Sequence, residues 1–148
     1  MQTLRLGYIL HGGRYRIEKV LGQGGFGITY LVFECGTARH LAVKEFFMKE
    51  LCGRDESTGG VTCESDGSRE KVARFREKFF KEASNIARFS HPHIVRVFET
   101  FEENNTVYYV MEYAEGGSLE DLVRQRGGLS EADAVHYILQ VADALAYI

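Results

Sequence analysis

Residues 21–30 read LGQGGFGITY, which sets Gly22, Gly24 and Gly27 at G-x-G-x-x-G spacing. Glycines at this spacing let backbone amides come close to phosphate oxygens, because no Cβ stands between them. Gly25 adds a fourth small residue, and Phe26 at the tip is placed to fold over a bound phosphate and exclude water. Lys44, in Ala42-Val43-Lys44, supplies a compact positive charge of the kind that binds phosphate. On a strand, Ala42 and Lys44 share one face, so the small Ala42 leaves room for a flat ring beside the lysine. A half-buried lysine needs a carboxylate partner to stay charged and in place. Downstream, Glu70, Glu77 and Glu82 are the candidates. Glu82 is chosen because it lies beside the apolar positions Phe79 and Ile86, whereas Glu77 reads as solvated.

Context decides between kinds of glycine loop. A dinucleotide-binding loop needs a helix immediately after the glycines, and here the β-branched and aromatic run ITYLVF follows. A P-loop needs Lys after the last glycine, and Ile28 stands there. A glycine-rich hairpin between two antiparallel strands remains, either covering phosphates or serving only turn geometry.

The elements that would position these groups follow the hydrophobic pattern. Strands are predicted within 4–10, over 15–20, 28–33, 40–46, 94–98 and 106–111. Residues 50–71 read as a long, partly mobile connection holding a small strand at Val61-Thr62-Cys63. From Glu70, the positions Val72, Phe75, Phe79, Ala83, Ile86 and Phe89 describe a helix, closed by Ser90-His91-Pro92. Ser118 caps a short helix through Arg126, and Ser130 opens a last one. That helix carries Ala134, Ile138, Val141, Leu145 and Ile148 as an apolar stripe.

Of 148 residues, 45% are hydrophobic and 26% charged, and the formal net charge is −3. That balance gives no electrostatic reason to expect a nucleic-acid partner. Cys35, Cys52 and Cys63 match no zinc spacing, and the odd count favours a reducing compartment over a disulfide scaffold. Cys52 and Cys63 flank a polar segment, which leaves a bridge between them open. No signal peptide or bilayer-length apolar run is read.

In order along the chain, L21-G-Q-G-G-F-G-I-T-Y30, A42-V-K44, F79-F-K-E82, H91-P-H-I-V95 and V110-M-E-Y-A-E-G-G-S-L119 resemble the amino-terminal lobe of the protein-kinase superfamily. The A42-V-K-E-F46 stretch and its long insert look most like bacterial eukaryotic-like serine/threonine kinases. The resemblance implies an α+β fold: a five-stranded antiparallel sheet, a regulatory helix and the first helices of a truncated carboxy-terminal lobe. It divides the chain into an extension at 1–14, the lobe at 15–113 with an insert near 49–70, and a hinge with helices at 114–148.

The same resemblance implies ATP as ligand. Gly22, Gly24 and Gly27 would lie over it. Lys44 would contact the α- and β-phosphates and pair with Glu82. Leu21, Thr29 and Ala42 would form part of the adenine ceiling, with Met111 as gatekeeper. Glu112 and Ala114 would offer backbone groups to the adenine edge, and Ser118 would lie near the ribose. His91 and Pro92 would shape the turn after the regulatory helix. Thr29 departs from the family's usual valine and makes the site slightly more polar.

Neither H-R-D nor D-F-G occurs in the sequence. The catalytic aspartate and the Mg²⁺ ligands would therefore come from a missing lobe, and the fragment is expected to be inactive. The stripe on the last helix is expected to drive homo-oligomerisation. A protein substrate and a cytoplasmic location follow from the resemblance. A pseudokinase or scaffold lobe and a small-molecule phosphotransferase are the alternatives.

Overall fold

A computed structural model describes residues 2–148. Eight strands and three helices follow in the order β1 (Ile9–Leu10), β2 (Tyr15–Gln23), β3 (Gly27–Glu34), β4 (Arg39–Phe46), β5 (Cys52–Arg54), β6 (Val61–Cys63), α1 (Asp66–Ile86), β7 (Val97–Glu103), β8 (Thr106–Met111), α2 (Leu119–Arg126) and α3 (Glu131–Tyr147). The main sheet is antiparallel, in the order β1-β2-β3-β4-β8-β7, and β5-β6 form a separate hairpin.

The sheet has six strands, not the five expected. The added edge strand is short, pairing Ile9 with Arg16 and Leu10 with Tyr15. It exists because Leu10 is fully buried and because His11, Gly12 and Gly13 all take positive φ, which reverses the chain at once. Gly7 at φ 80 stops any longer strand from Leu4. The strand expected from residue 94 begins only at Val97, beyond the turn after Pro92. Helix α1 starts before Glu70, because Ser65 caps it by accepting from the Ser68 N–H.

Strand β4 lies at the centre and is buried on both faces. Val43 and Glu45 point one way, and Ala42, Lys44 and Phe46 the other. The Val43 side packs with Ile28, Tyr30, Val32, Tyr108 and Val110 in the main core. On the Lys44 side, α1 lays Phe79 against Phe46 and Tyr109, at ring separations of 5.5 and 5.1 Å. The α1 sequence supplies that contact through its i, i+4 apolar positions.

The segment read as a partly mobile connection carries the β5–β6 hairpin. The turn is closed by Asp55, whose carboxylate accepts from the Ser57 and Thr58 N–H groups at 2.8 and 3.3 Å. Asn104 and Asn105, both at positive φ in the β7–β8 turn, tie it to the sheet. The Val61 N–H donates to the Asn104 carbonyl at 2.8 Å, and Asn105 Nδ2 donates to the Val61 carbonyl at 3.0 Å.

Candidate functional site

Two cross-strand rows build the site. Thr29 is opposite Lys44, and Lys44 opposite Tyr109. One step further along, Leu31, Ala42 and Met111 form the second row on the same face. Lys44 Nζ lies 6.0 Å from the Phe79 ring centroid and 5.9 Å from that of Tyr109. Two aromatic faces at that range hold an ammonium loosely, without consuming its hydrogen-bond donors.

Gly27 owes its identity to close approach. A Cβ there would stand 3.0 Å from the Glu45 carbonyl oxygen and 3.2 Å from Lys44 Cε. The glycine loop is also fastened at its tip. The Gly24 N–H donates to the Gly27 carbonyl at 2.9 Å, Phe47 N–H to the Phe26 carbonyl at 3.0 Å, and Lys49 N–H to the Gly25 carbonyl at 3.1 Å. The Phe26 ring stacks on Phe75 of α1 with centroids 5.2 Å apart.

Beneath this loop lies an open cavity of about 640 Å³. Its walls take in Gly22, Gly24, Gly25, Phe26, Gly27, Thr29, Lys44 and Glu82, with Phe75, Lys78 and Phe79 of α1. Lys44 and Glu82 therefore share one space. Among the described residues, no ion pair within 4.0 Å joins them; the pairs within α1 are Asp66–Arg69 and Glu77–Lys81. Glu77 sits on the exposed side at 2.8 Å from Lys81, whose hydrogen bond and charge hold its carboxyl below the ordinary value. Glu82 instead faces the sheet: burial raises the Tyr109 phenol, and the Glu82 charge adds to that rise.

Leu21, Ala42, Met111, Glu112, Ala114 and Ser118 lie outside this cavity's lining. Ala42 is buried, Leu21 and Met111 are half-buried, and Glu112 and Ala114 are exposed. The Glu112 N–H donates to the Arg96 carbonyl at 2.9 Å, which leaves the Glu112 carbonyl as its group for a base. Ser118 caps α2, accepting from the Asp121 N–H at 3.1 Å while its hydroxyl donates to the Asp121 carboxylate at 2.7 Å. His91 reaches α3, with Nε2 3.1 Å from Asp143, and the Tyr147 hydroxyl accepts from the Ser90 N–H at 3.0 Å. The turn after α1 is thus also the seat of α3.

A charged network absent from the sequence reading lies on the opposite face of β4. Glu45, fully buried beside Lys44 in the chain, accepts from Arg54 Nη1 at 3.0 Å, from Nη2, and from the Tyr30 and Tyr108 hydroxyls. Arg54 also donates to the Gln2 and Gly59 carbonyls, each at 2.8 Å. Burial works against the Arg54 charge, and Glu45 more than offsets it. The signal was the period of two in Val43 and Glu45, which puts a carboxylate on an apolar face.

Residues 15–148 match the family model of the protein kinase domain. The chain belongs to the protein kinase family. Its described lobe is of the kinase type, with the glycine loop, Lys44 strand and α1 in kinase order. The chain is 34% identical over 147 residues to the serine/threonine-protein kinase PksC of Streptomyces coelicolor, covering 94% of this chain and 23% of the relative. It is 29% identical over 147 residues to the probable serine/threonine-protein kinase PknB of Bifidobacterium longum, covering 93% of this chain and 19% of the relative. The chain thus spans about a fifth to a quarter of these relatives. Among solved structures, the apo form of PpkA-294 superposes with a TM-score of 0.78 at 29% identity, covering 84% of this chain and 43% of that one. Rad53 1–466 in complex with AMP-PNP superposes with a TM-score of 0.67 at 26% identity, covering 92% and 30%.

Proposed function

We propose that this kinase lobe is the ATP-binding portion of a serine/threonine-protein kinase. The observation that carries the reading is the meeting of Lys44, Glu82 and the glycine loop around one open cavity. The lining suits a polyphosphate: a glycine loop whose backbone can come close above, and below it an ammonium that, among the described residues, has no ion pair within 4.0 Å. Bound ATP supplies the γ-phosphoryl group for transfer to a protein hydroxyl.

The chain's own residues position that group. Lys44 neutralises phosphate charge, and the row from Thr29 to Tyr109 fixes the height of its stem above the sheet. Leu31, Ala42 and Met111 continue that face as part of the apolar ceiling over the base. Glu82 orients Lys44 once α1 moves in far enough to close an ion pair, so α1 is the regulatory element. The serine/threonine assignment rests on the names of the relatives.

Mg²⁺ ligands and the base for the substrate hydroxyl belong to H-R-D and D-F-G motifs, neither of which occurs in these 148 residues. The 148-residue chain alone therefore transfers no phosphate. It self-associates through α3, on which Val135, Ile138, Leu139, Val141 and Leu145 are exposed, with Ile148 exposed just beyond its end.

Calorimetric titration of the chain with ATP and Mg²⁺, repeated on Lys44→Ala, tests the site. Hydrogen bonds to a charged group contribute about 1.5–3 kcal/mol. Loss of Lys44 should weaken binding roughly 10- to 100-fold. Equal affinity in the two proteins would remove Lys44 from the phosphate site.

A further inference from the structure

The β5–β6 hairpin sets Cys52 directly opposite Cys63. Opposed residues of an antiparallel ladder have Cα atoms about 4.5–5.5 Å apart, inside the range of about 4.4–6.8 Å that disulfides span. Their side chains leave the ladder on the same face. The two sulfurs are close enough to influence one another. Burial pushes the Cys52 thiol up to about 11, and the neighbouring Cys63 thiol adds to the rise. Both thiols are free, as is Cys35 on an exposed turn far along the sheet.

The two cysteines differ in access. Cys52 is only 7% exposed. Its protonated thiol is a poor nucleophile at neutral pH. Cys63 is half-buried and forms part of the wall of an open groove of about 610 Å³ between β6, α1 and the β7–β8 turn. Arg76 of α1 lies on the same wall, beside Arg69, whose guanidinium is paired with Asp66, so a positive charge stands next to Cys63 in the groove. A small anionic disulfide thus meets Cys63 first, with Cys52 behind it.

We propose that Cys52 and Cys63 form a reversible thiol–disulfide modification site, with Cys63 as the attacking thiol, Cys52 as the resolving thiol and a low-molecular-weight disulfide of the glutathione type as oxidant. In the first step Cys63 gives up its proton, and its thiolate attacks one sulfur of the small disulfide. That S–S bond breaks, and one small thiol leaves with the electron pair and takes up a proton. In the second step Cys52 gives up its proton and attacks the Cys63 sulfur, and the second small thiol leaves in the same way. Two protein thiols are oxidised to one disulfide, and one small disulfide is reduced to two thiols.

The bridge would lie at a junction. Cys63 precedes the α1 cap Ser65 by two residues, and the Cys52 N–H holds the Met48 carbonyl at 2.8 Å. Met48 adjoins Phe47 and Lys49, the residues that pin the glycine-loop tip.

The test uses the chain with Cys35→Ser, a change on an exposed turn that leaves both strands untouched. The protein is equilibrated in buffers of reduced and oxidised glutathione, quenched by acid, and measured by intact mass and peptide mapping. The expected product is a disulfide between Cys52 and Cys63 of the same chain, two hydrogens lighter and reversed by dithiothreitol. Adding Cys52→Ser should trap one glutathione on Cys63, and adding Cys63→Ser should leave Cys52 unmodified. A glutathione adduct that persists on Cys63 while Cys52 is present would overturn the proposal. So would a chain-to-chain bridge, or a Cys63 that stays reduced in fully oxidised glutathione.

Discussion

Arg54→Met removes a buried charged partner of Glu45, the carboxylate that follows Lys44 on β4. The Glu45 and Arg54 side chains are 0% and 2% exposed, so neither is rescued by water. The substitution strips two guanidinium contacts from Glu45 and also leaves the Gln2 and Gly59 carbonyls without their donor. Methionine keeps the stem that packs near the Phe47 ring, 5.1 Å from the guanidinium carbon, so the loss is electrostatic rather than a cavity. Removing one partner of a buried pair costs about 3–5 kcal/mol. Glu45 retains the Tyr30 and Tyr108 hydroxyls, which places the expected loss near the lower end, about 3 kcal/mol. Domains of this size unfold with about 5–15 kcal/mol, so the variant stays folded but with a sharply lower urea midpoint.

The assay is urea unfolding at neutral pH with the slope held as a check on two-state behaviour. Adding Glu45→Gln to Arg54→Met removes the orphaned charge and keeps an oxygen for the hydroxyls. The double variant should recover at least about 1 kcal/mol over the single one. Moderate salt should leave the loss caused by Arg54→Met unchanged, since buried pairs escape screening. A loss below about 1 kcal/mol is the size of an exposed pair and would refute the anchoring role of Arg54. So would a double variant no more stable than Arg54→Met.

Gly27→Ala drives a methyl to 3.0 Å from the Glu45 carbonyl oxygen and 3.2 Å from Lys44 Cε. It should cost about 1–3 kcal/mol of stability and weaken ATP capture in the same calorimeter; unchanged values in both would show the loop yields freely. Glu34 is held below its ordinary 4.5 first by the Thr37 hydroxyl and then by Arg39. A depressed folded pKa stabilises above the unfolded value and loses that contribution as pH falls through the folded one. Glu34→Gln should therefore lower the urea midpoint at pH 7 and flatten its decline below about pH 4.5, whereas parallel pH curves would discount the group. For self-association, sedimentation should show oligomers that Ile138→Glu with Leu145→Glu returns to monomer, both positions being exposed by more than 60%. A wild-type monomer at high concentration would end that proposal.

The parts legible in the sequence were those set by local rules. The β-branched and aromatic run at 28–33 and the strand-like stretch at 40–46 marked β3 and β4, and the period of two put Ala42 and Lys44 on one face. The three-and-four spacing of Phe75, Phe79, Ala83 and Ile86 gave α1 and the side on which Glu82 lies. What escaped depends on partners distant in the chain. Nothing local marks Arg54 for Glu45, nor Asp143 for His91, because each pair is assembled by tertiary packing. Strand β1 lies within the predicted stretch 4–10 but keeps only Ile9 and Leu10, because pairing with Arg16 and Tyr15, not any periodicity, sets its extent. The open Lys44–Glu82 distance is likewise a matter of where α1 stands, not of residue types.

One strand joins these pieces. Lys44 and Glu45 are neighbours on β4 with side chains on opposite faces, so whatever fixes one constrains the other. Glu45 is fixed by Arg54, which sits on the strand that begins at Cys52. The partner strand ends at Cys63, two residues before the cap of the helix that carries Glu82. The insert is therefore linked to the surroundings of both Lys44 and Glu82, to the first through the buried ion pair of its neighbour Glu45 and to the second through the start of α1. Its hairpin also seats against the β7–β8 turn through Asn104 and Asn105, so it cannot shift alone. An insert held at three points is a brace rather than a loose loop, and changes within it should be read at the cavity beneath the glycine loop as well as in stability.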